Sequence, residues 1–134
     1  MMKFKKSYLH IVILLFFIHS KSNIYAQNSK NKKEEKSEWK QEGMACIYSK
    51  GLNGGKTASG GRLDMDALTA AHLKLPFGTK VKVTNVKNGK SVVVKITDRG
   101  PYSKKFIIDL TLAAAKKLGF SYSEGITKVR ITKV

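Results

Sequence analysis

From Gly43 to the C-terminus, apolar residues recur at every second position in several short runs, which is the spacing of half-buried β-strands. In Thr79–Val86, Val81 and Val83 alternate with Lys80, Lys82 and Thr84. Ser91–Thr97 reads as the return strand, with Val92, Val93 and Val94 in a row. Asn88-Gly89 between them predicts a hairpin turn, because both residues tolerate positive φ. Met44–Tyr48 and Phe106–Leu110 are short strand candidates, and Ile126–Val134 closes the chain with another alternating run. Thr111 can cap a helix through Ala113, Ala114, Ala115 and Leu118, which Gly119 stops. Gly51 to Gly61 holds five glycines and predicts a loop, while Met65–Leu73 is mixed and reads as a helical turn. Five or six short strands with one clear helix predict a mainly β domain. A closed barrel suits that count, because closure leaves no unpaired strand edge.

The first 42 residues follow other rules. Lys3, Lys5 and Lys6 precede the apolar run Tyr8–Ile18, and Ala26 offers a small residue for cleavage. This is the layout of an export signal over residues 1–26. The run is short for a bilayer span, so no stable membrane span is expected; a retained anchor is the alternative. Residues 27–42 are polar, with Trp39 the single large apolar group, and predict a linker before a domain over 43–134. Trp39 could dock on the domain edge. The expected location is exported, in the periplasm or at the cell envelope.

Charge then narrows the partners. The whole chain has 26 basic and nine acidic residues, and residues 43–134 alone carry 17 basic and five acidic ones. In a cytosolic protein this balance would suggest nucleic acid. An exported protein meets other polyanions instead, such as wall carboxylates or acidic lipid surfaces. Nucleic acid is therefore not expected as a partner. Cys46 is the single cysteine, so no internal disulfide is available, and it reads as a small buried apolar side chain. The histidine and cysteine content is too low for a metal site, and no cofactor motif is present. A Ser59, His72, Asp98 triad lacks a nucleophile elbow.

The chemistry concentrates in TDRGPY at 97–102 and IIDLT at 107–111. Gly100 and Pro101 force a tight turn after a strand, and the turn carries Asp98 beside Arg99. A carboxyl group on a rigid turn suits acid–base work; the alternative is that Asp98 only caps the turn. Arg99 would favour the ionised carboxylate if the side chains met. Neighbours on a strand end point apart, which leaves Arg99 for a substrate carboxylate or oxygen.

TASGGRLDMDALTAAHLKLPFGTKVKVTN, NGKSVVVKITDRGPY and IIDLTLAAAKKLG together resemble the rare lipoprotein A family, over essentially all of residues 43–134. The resemblance implies a six-stranded double-psi β-barrel with one or two short helices. It implies lytic transglycosylase action on peptidoglycan glycan strands, with no cofactor and with a monomer expected. The product would be a 1,6-anhydro sugar end. By the same resemblance Asp98, His72 and Asp64 are catalytic candidates, and Arg99, Asp109, Thr57 and Tyr102 are substrate-binding candidates. His72 could instead be a buried histidine satisfied by backbone, and Asp109 could serve the helix start. One departure stands out. Family members usually have a glutamate eleven residues before the histidine, and here that position is Gly61. The alternatives are substitution by Asp64 or Asp66, or Asp98 acting alone. The other possibility is a non-catalytic wall-binding module of the kind the related expansins represent.

Overall fold

The computed structural model describes residues 38–134, which hold six strands, one 3-10 turn and one short helix. The export signal and residues 27–37 of the linker lie outside the described residues. Strand β1 (Lys40–Ile47) starts four residues before the expected Met44, so the end of the polar stretch is already sheet. It pairs with β6 (Ile126–Lys133) from Lys40↔Thr132 onward. Main-chain pairing needs no apolar side chains, which is why Lys40–Glu42 are strand despite their polarity. Trp39 packs partly buried on the core, as its size demands.

Alternation controls the rest. In β3 (Lys80–Asn85) and β4 (Ser91–Asp98), Val81, Val83, Val92, Val94 and Ile96 point inward while Lys80, Lys82, Val93 and Lys95 face solvent. Ile108 and Leu110 of β5 (Phe106–Leu110) and Val129 and Ile131 of β6 complete the interior. The three uninterrupted valines thus behave as an alternating strand with one exposed member. The β3–β4 connection differs from a two-residue hairpin: of the Asn88-Gly89 pair, only Gly89 has positive φ. Asn88 uses its side-chain amide to donate to the Leu118 carbonyl, which ties the loop to the helix end.

The strands form a closed barrel in the order β1-β5-β2-β4-β3-β6, with two parallel pairs, β1 with β5 and β2 with β4. This is a six-stranded double-psi barrel. Strand β2 (Thr69–Ala71) is the one that pattern reading took for a helical turn. Its Ala-rich sequence favours helix locally. Pairing with β4 on one side and β5 on the other overrides that preference. Helix α1 (Leu112–Lys117) begins as expected, with the Thr111 hydroxyl accepting from the Ala114 amide and donating to the Ala67 carbonyl. Gly119, at φ 79°, ends it.

Candidate active site

Four strands deliver a single row of side chains: Cys46 on β1 pairs with Asp109 on β5, Asp109 with Ala71 on β2, and Ala71 with Asp98 on β4. Register partners point to the same face of a sheet. Val92, Val94 and Ile96 face the core, so strict alternation would send Asp98 inward after them. A register shift prevents this. Ala70 pairs with Ile96, but Ala71 pairs with Asp98, so Thr97 is the extra residue of a bulge. The bulge turns Asp98 out of the core and onto the face of Ala71. A second shift, between Met44 and Ala45, skips Ile107 on β5 and aligns Cys46 with Asp109.

Two inter-strand steps of about 4.8 Å separate the Asp98 and Asp109 backbones by roughly 10 Å. The residue between them, Ala71, is fully buried and packs with Tyr48, Leu63 and Met65. Asp98 is half-buried and accepts three hydrogen bonds. Its Oδ1 receives the Ala58 and Arg99 amides, each at 2.9 Å, and its Oδ2 receives the Tyr48 hydroxyl at 3.1 Å. The Ala58 amide comes from the glycine-rich loop. Gly60, at φ 98°, turns that loop back so that it docks on the end of β4.

Asp109 is also half-buried. Burial raises its pKa above the ordinary carboxylate value, the Asp98 charge adds to the rise, and the Cys46 hydrogen bond opposes it. The Cys46 thiol donates to Asp109 Oδ1 at 2.7 Å, and burial followed by that contact pushes the thiol up to about 12. Cys46 is therefore a protonated donor to a carboxylate, not the purely apolar filler its isolation in the sequence implied. Tyr48 is pushed far above the usual phenol range by burial first and by Asp98 next, so it remains a neutral donor. Pattern reading missed Tyr48 and Ala71. The Tyr at the end of β1 carried no motif, and only the pairing of β2 reveals where Ala71 stands.

The remaining expected residues fall into separate groups. His72 is buried, and its Nδ1 accepts the Lys74 and Leu75 amides, both at 3.1 Å. Its Nε2 therefore carries the proton and meets Gln41 Oε1 at 3.0 Å. Burial, Arg99 and Lys74 lower its pKa, which keeps the ring neutral. The ring is engaged with the 72–75 turn; it is the main-chain amide of His72 that reaches the Asp98 carbonyl. Arg99 turns away from the Asp98 carboxylate. Its guanidinium donates to the His72 and Leu75 carbonyls and lies 3.9 Å from the Phe77 ring centre.

Thr57 is buried with its hydroxyl against Ser59. Asp64 is exposed between the buried Leu63 and Met65, and its Oδ1 accepts the Asp66 amide. No hydrogen bond among the described residues links Asp64 to Asp98 or Asp109. Tyr102 is 80% exposed, and its ring comes near Gly100. Gly61 is exposed, without positive φ, and a Cβ there would meet only Thr57 Oγ1 at 3.7 Å. A side chain at position 61 would therefore fit without strain.

Comparisons with known proteins agree with this architecture. The family model described as Lytic transglycolase matches residues 40–131. A protein named probable endolytic peptidoglycan transglycosylase RlpA, from Synechocystis, is 51% identical over 89 residues, which are 66% of this chain and 27% of that one. The endolytic peptidoglycan transglycosylase RlpA of Neisseria meningitidis is 47% identical over 102 residues, 76% of this chain and 42% of that one. The chain thus spans less than half the length of these relatives. Among solved structures, a Streptomyces papain inhibitor superposes with a TM-score of 0.58 at 24% identity, covering 72% of this chain and 94% of its own. A Clavibacter michiganensis expansin superposes at 0.55 and 24% identity, covering 72% and 50%. At that identity the two structures share the fold alone. The sequence match over the whole barrel carries the assignment: this chain belongs to the Lytic transglycolase family.

Proposed function

We propose that this chain is an exported, monomeric endolytic transglycosylase that cuts peptidoglycan glycan strands between N-acetylmuramic acid and N-acetylglucosamine. The observation that carries this reading is the Asp98–Ala71–Asp109 row, two half-buried carboxyl groups brought to one face of the sheet on either side of an alanine. The pair divides acid and base work. Burial and the neighbouring charge favour a proton on Asp109, and the Cys46 thiol on Oδ1 leaves Oδ2 to hold it. Asp98 accepts three donors that fix its orientation. Asp109 gives its proton to the glycosidic oxygen as the bond to muramic C1 breaks, and the electron pair stays with the leaving sugar. Positive charge develops at C1 beside the Asp98 carboxylate. The muramic C6 oxygen bonds to C1 and its proton passes to Asp98, closing the 1,6-anhydro ring without water. Proton return from Asp98 to Asp109 through solvent resets the site. Arg99, His72 and Thr57 act as positioning residues in this scheme: Thr57 contacts Ser59 in the loop that presents the Ala58 amide, and His72 and Arg99 hold the 72–75 turn beside Asp98.

The test is digestion of purified glycan strands, with anhydro-muramyl ends counted by mass spectrometry. Asp98→Asn and Asp109→Asn are each expected to slow product formation by roughly 10²–10⁴-fold, the usual worth of a general acid or base. A variant that kept the wild-type rate would remove that residue from the mechanism. Gly61 favours a second reading, a module that binds glycan without cutting it. Space for a side chain at 61 makes Gly61→Glu the discriminating variant. An enzyme able to use the extra carboxyl gains rate, whereas activity that appears only in Gly61→Glu would mean that the natural chain is a binder.

A further inference from the structure

The outer surface of β3, β6 and the strand stretches beside them is basic, and none of the groups placed in the site belongs to it. Register sets one row across four strands: Lys40 on β1, Thr132 on β6, Lys82 on β3 and Val93 on β4. On one side of that row Lys80 stands opposite Lys95. On the other side Glu42, Arg130 and Thr84 are in line, and Lys128 follows on β6 with its carbonyl accepting the Val86 amide. Register partners share a face, and the lysines here are exposed while the residues between them fill the core. Six cationic side chains therefore share this face with one acid, Glu42, which Arg130 holds at 2.6 Å. Residues 27–37 cannot offset that balance, since they contain four lysines and two glutamates.

Two valines lie among these charges, Val86 and Val93, each 43% exposed. A soluble polyanion gains nothing from them. A bilayer takes lysines at its phosphates and small apolar side chains at the boundary below. The face also has a fixed relation to the site. In the closed order β1-β5-β2-β4-β3-β6, β3 is three strands from β5, which carries Asp109, and β6 is three strands from β2, which carries Ala71. In a ring of six, three steps reach the opposite side.

We propose that this face docks the chain on an anionic lipid bilayer, with the Asp98–Asp109 row turned away from the membrane. The inference stands apart from the glycan-cleavage reading, and no step of that reaction enters it. A site held in this way looks outward, toward polymer lying beyond the membrane surface.

The processed chain, residues 27–134, is sedimented with phosphatidylcholine vesicles that either lack or contain one quarter phosphatidylglycerol. Binding is expected to the mixed vesicles alone, and it should fade as salt rises. Lys82→Gln/Lys128→Gln is expected to weaken it by roughly 25-fold, about fivefold per lysine near an anionic surface. Lys50→Gln/Lys56→Gln removes the same charge from the glycine-rich loop on the site side and is expected to cost less than about threefold. Equal losses in the two double variants would overturn the proposal, because net charge alone would then account for binding. Val93→Asn is expected to weaken vesicle binding by about threefold and to leave binding of long-chain polyphosphate unchanged. If polyphosphate bound more tightly than the vesicles and Val93→Asn altered neither, the partner would be a soluble polyanion and the bilayer assignment would fail. Orientation is read with an environment-sensitive dye attached in Val93→Cys or Tyr102→Cys, each in a Cys46→Ser chain. Emission is expected to shift to the blue on vesicles for position 93 alone, and equal shifts at both positions would overturn the orientation. Vesicle binding is scored without glycan, so it stands or falls separately from anhydro product.

Discussion

The two halves of the barrel are built differently. On one side, β3, β4 and β6 pair antiparallel in unbroken registers, from Lys80↔Lys95 to Thr84↔Ser91 and from Val81↔Lys133 to Asn85↔Val129. On the other side, β1, β5, β2 and the end of β4 contain both parallel pairs, both register shifts and a strand of only three residues. The regular half buries most of the branched aliphatic core. The irregular half carries the titratable groups Cys46, Tyr48, Asp98 and Asp109. Irregularity is what lets polar side chains leave an alternating strand without entering the core, so the candidate site lies in the half where pairing is least regular.

This division can be broken from either side. Ile131→Ala, in the regular half, opens a hole at a fully buried position and is expected to cost about 2–5 kcal/mol of stability by denaturant melts. The rate of anhydro product per folded molecule should stay close to wild type. A large fall in that rate would mean that the halves are not independent.

Tyr48→Phe, in the irregular half, removes the hydroxyl that donates to Asp98 Oδ2. Loss of one hydrogen bond to a charged group is worth roughly 1.5–3 kcal/mol, most of which should appear as a rate loss of tenfold or more. If stability fell by the whole amount and the rate did not change, Tyr48 would be part of the scaffold alone.

The smallest expected effect is a difference in pH dependence. Asp109 has a raised folded pKa, so its contribution to stability is complete below the ordinary carboxylate value and is lost as pH rises through the raised value. Asp109→Asn lacks this loss. Its melting temperature relative to wild type should therefore climb between pH 4 and pH 7. His72 has the opposite slope, because its lowered folded pKa costs stability as pH falls below the ordinary histidine value. A constant difference between wild type and Asp109→Asn across that range would show that Asp109 is not held in an unfavourable ionised state.

The same division sets what the sequence could reveal. The regular strands were legible because Val81, Val83, Val129 and Ile131 alternate with lysine, threonine and arginine. The helix was legible from Thr111 and Gly119. Strand β2 was not, because Thr69-Ala70-Ala71 has no strand character apart from its two neighbours. Asp98 and Asp109 could be singled out as candidates from their motifs. Their relation could not, because it depends on a bulge at Thr97 and on an alanine from a third strand. The roles of His72 and Arg99 were open to the same degree: the sequence put both residues beside the site, and only coordinates reveal that they brace the 72–77 loop.

Thr97 also governs how the strand tolerates a change of length. Removing that one residue would set Asp98 directly after Ile96, opposite Ala71 and still on the outward face, but it would take away the carbonyl on which the Ser59 amide docks. The carboxylate would keep its direction and lose the anchorage of the segment that brings it the Ala58 amide. A codon deleted there should therefore slow turnover in a molecule that still folds, whereas one added in the exposed 86–90 connection should pass unnoticed.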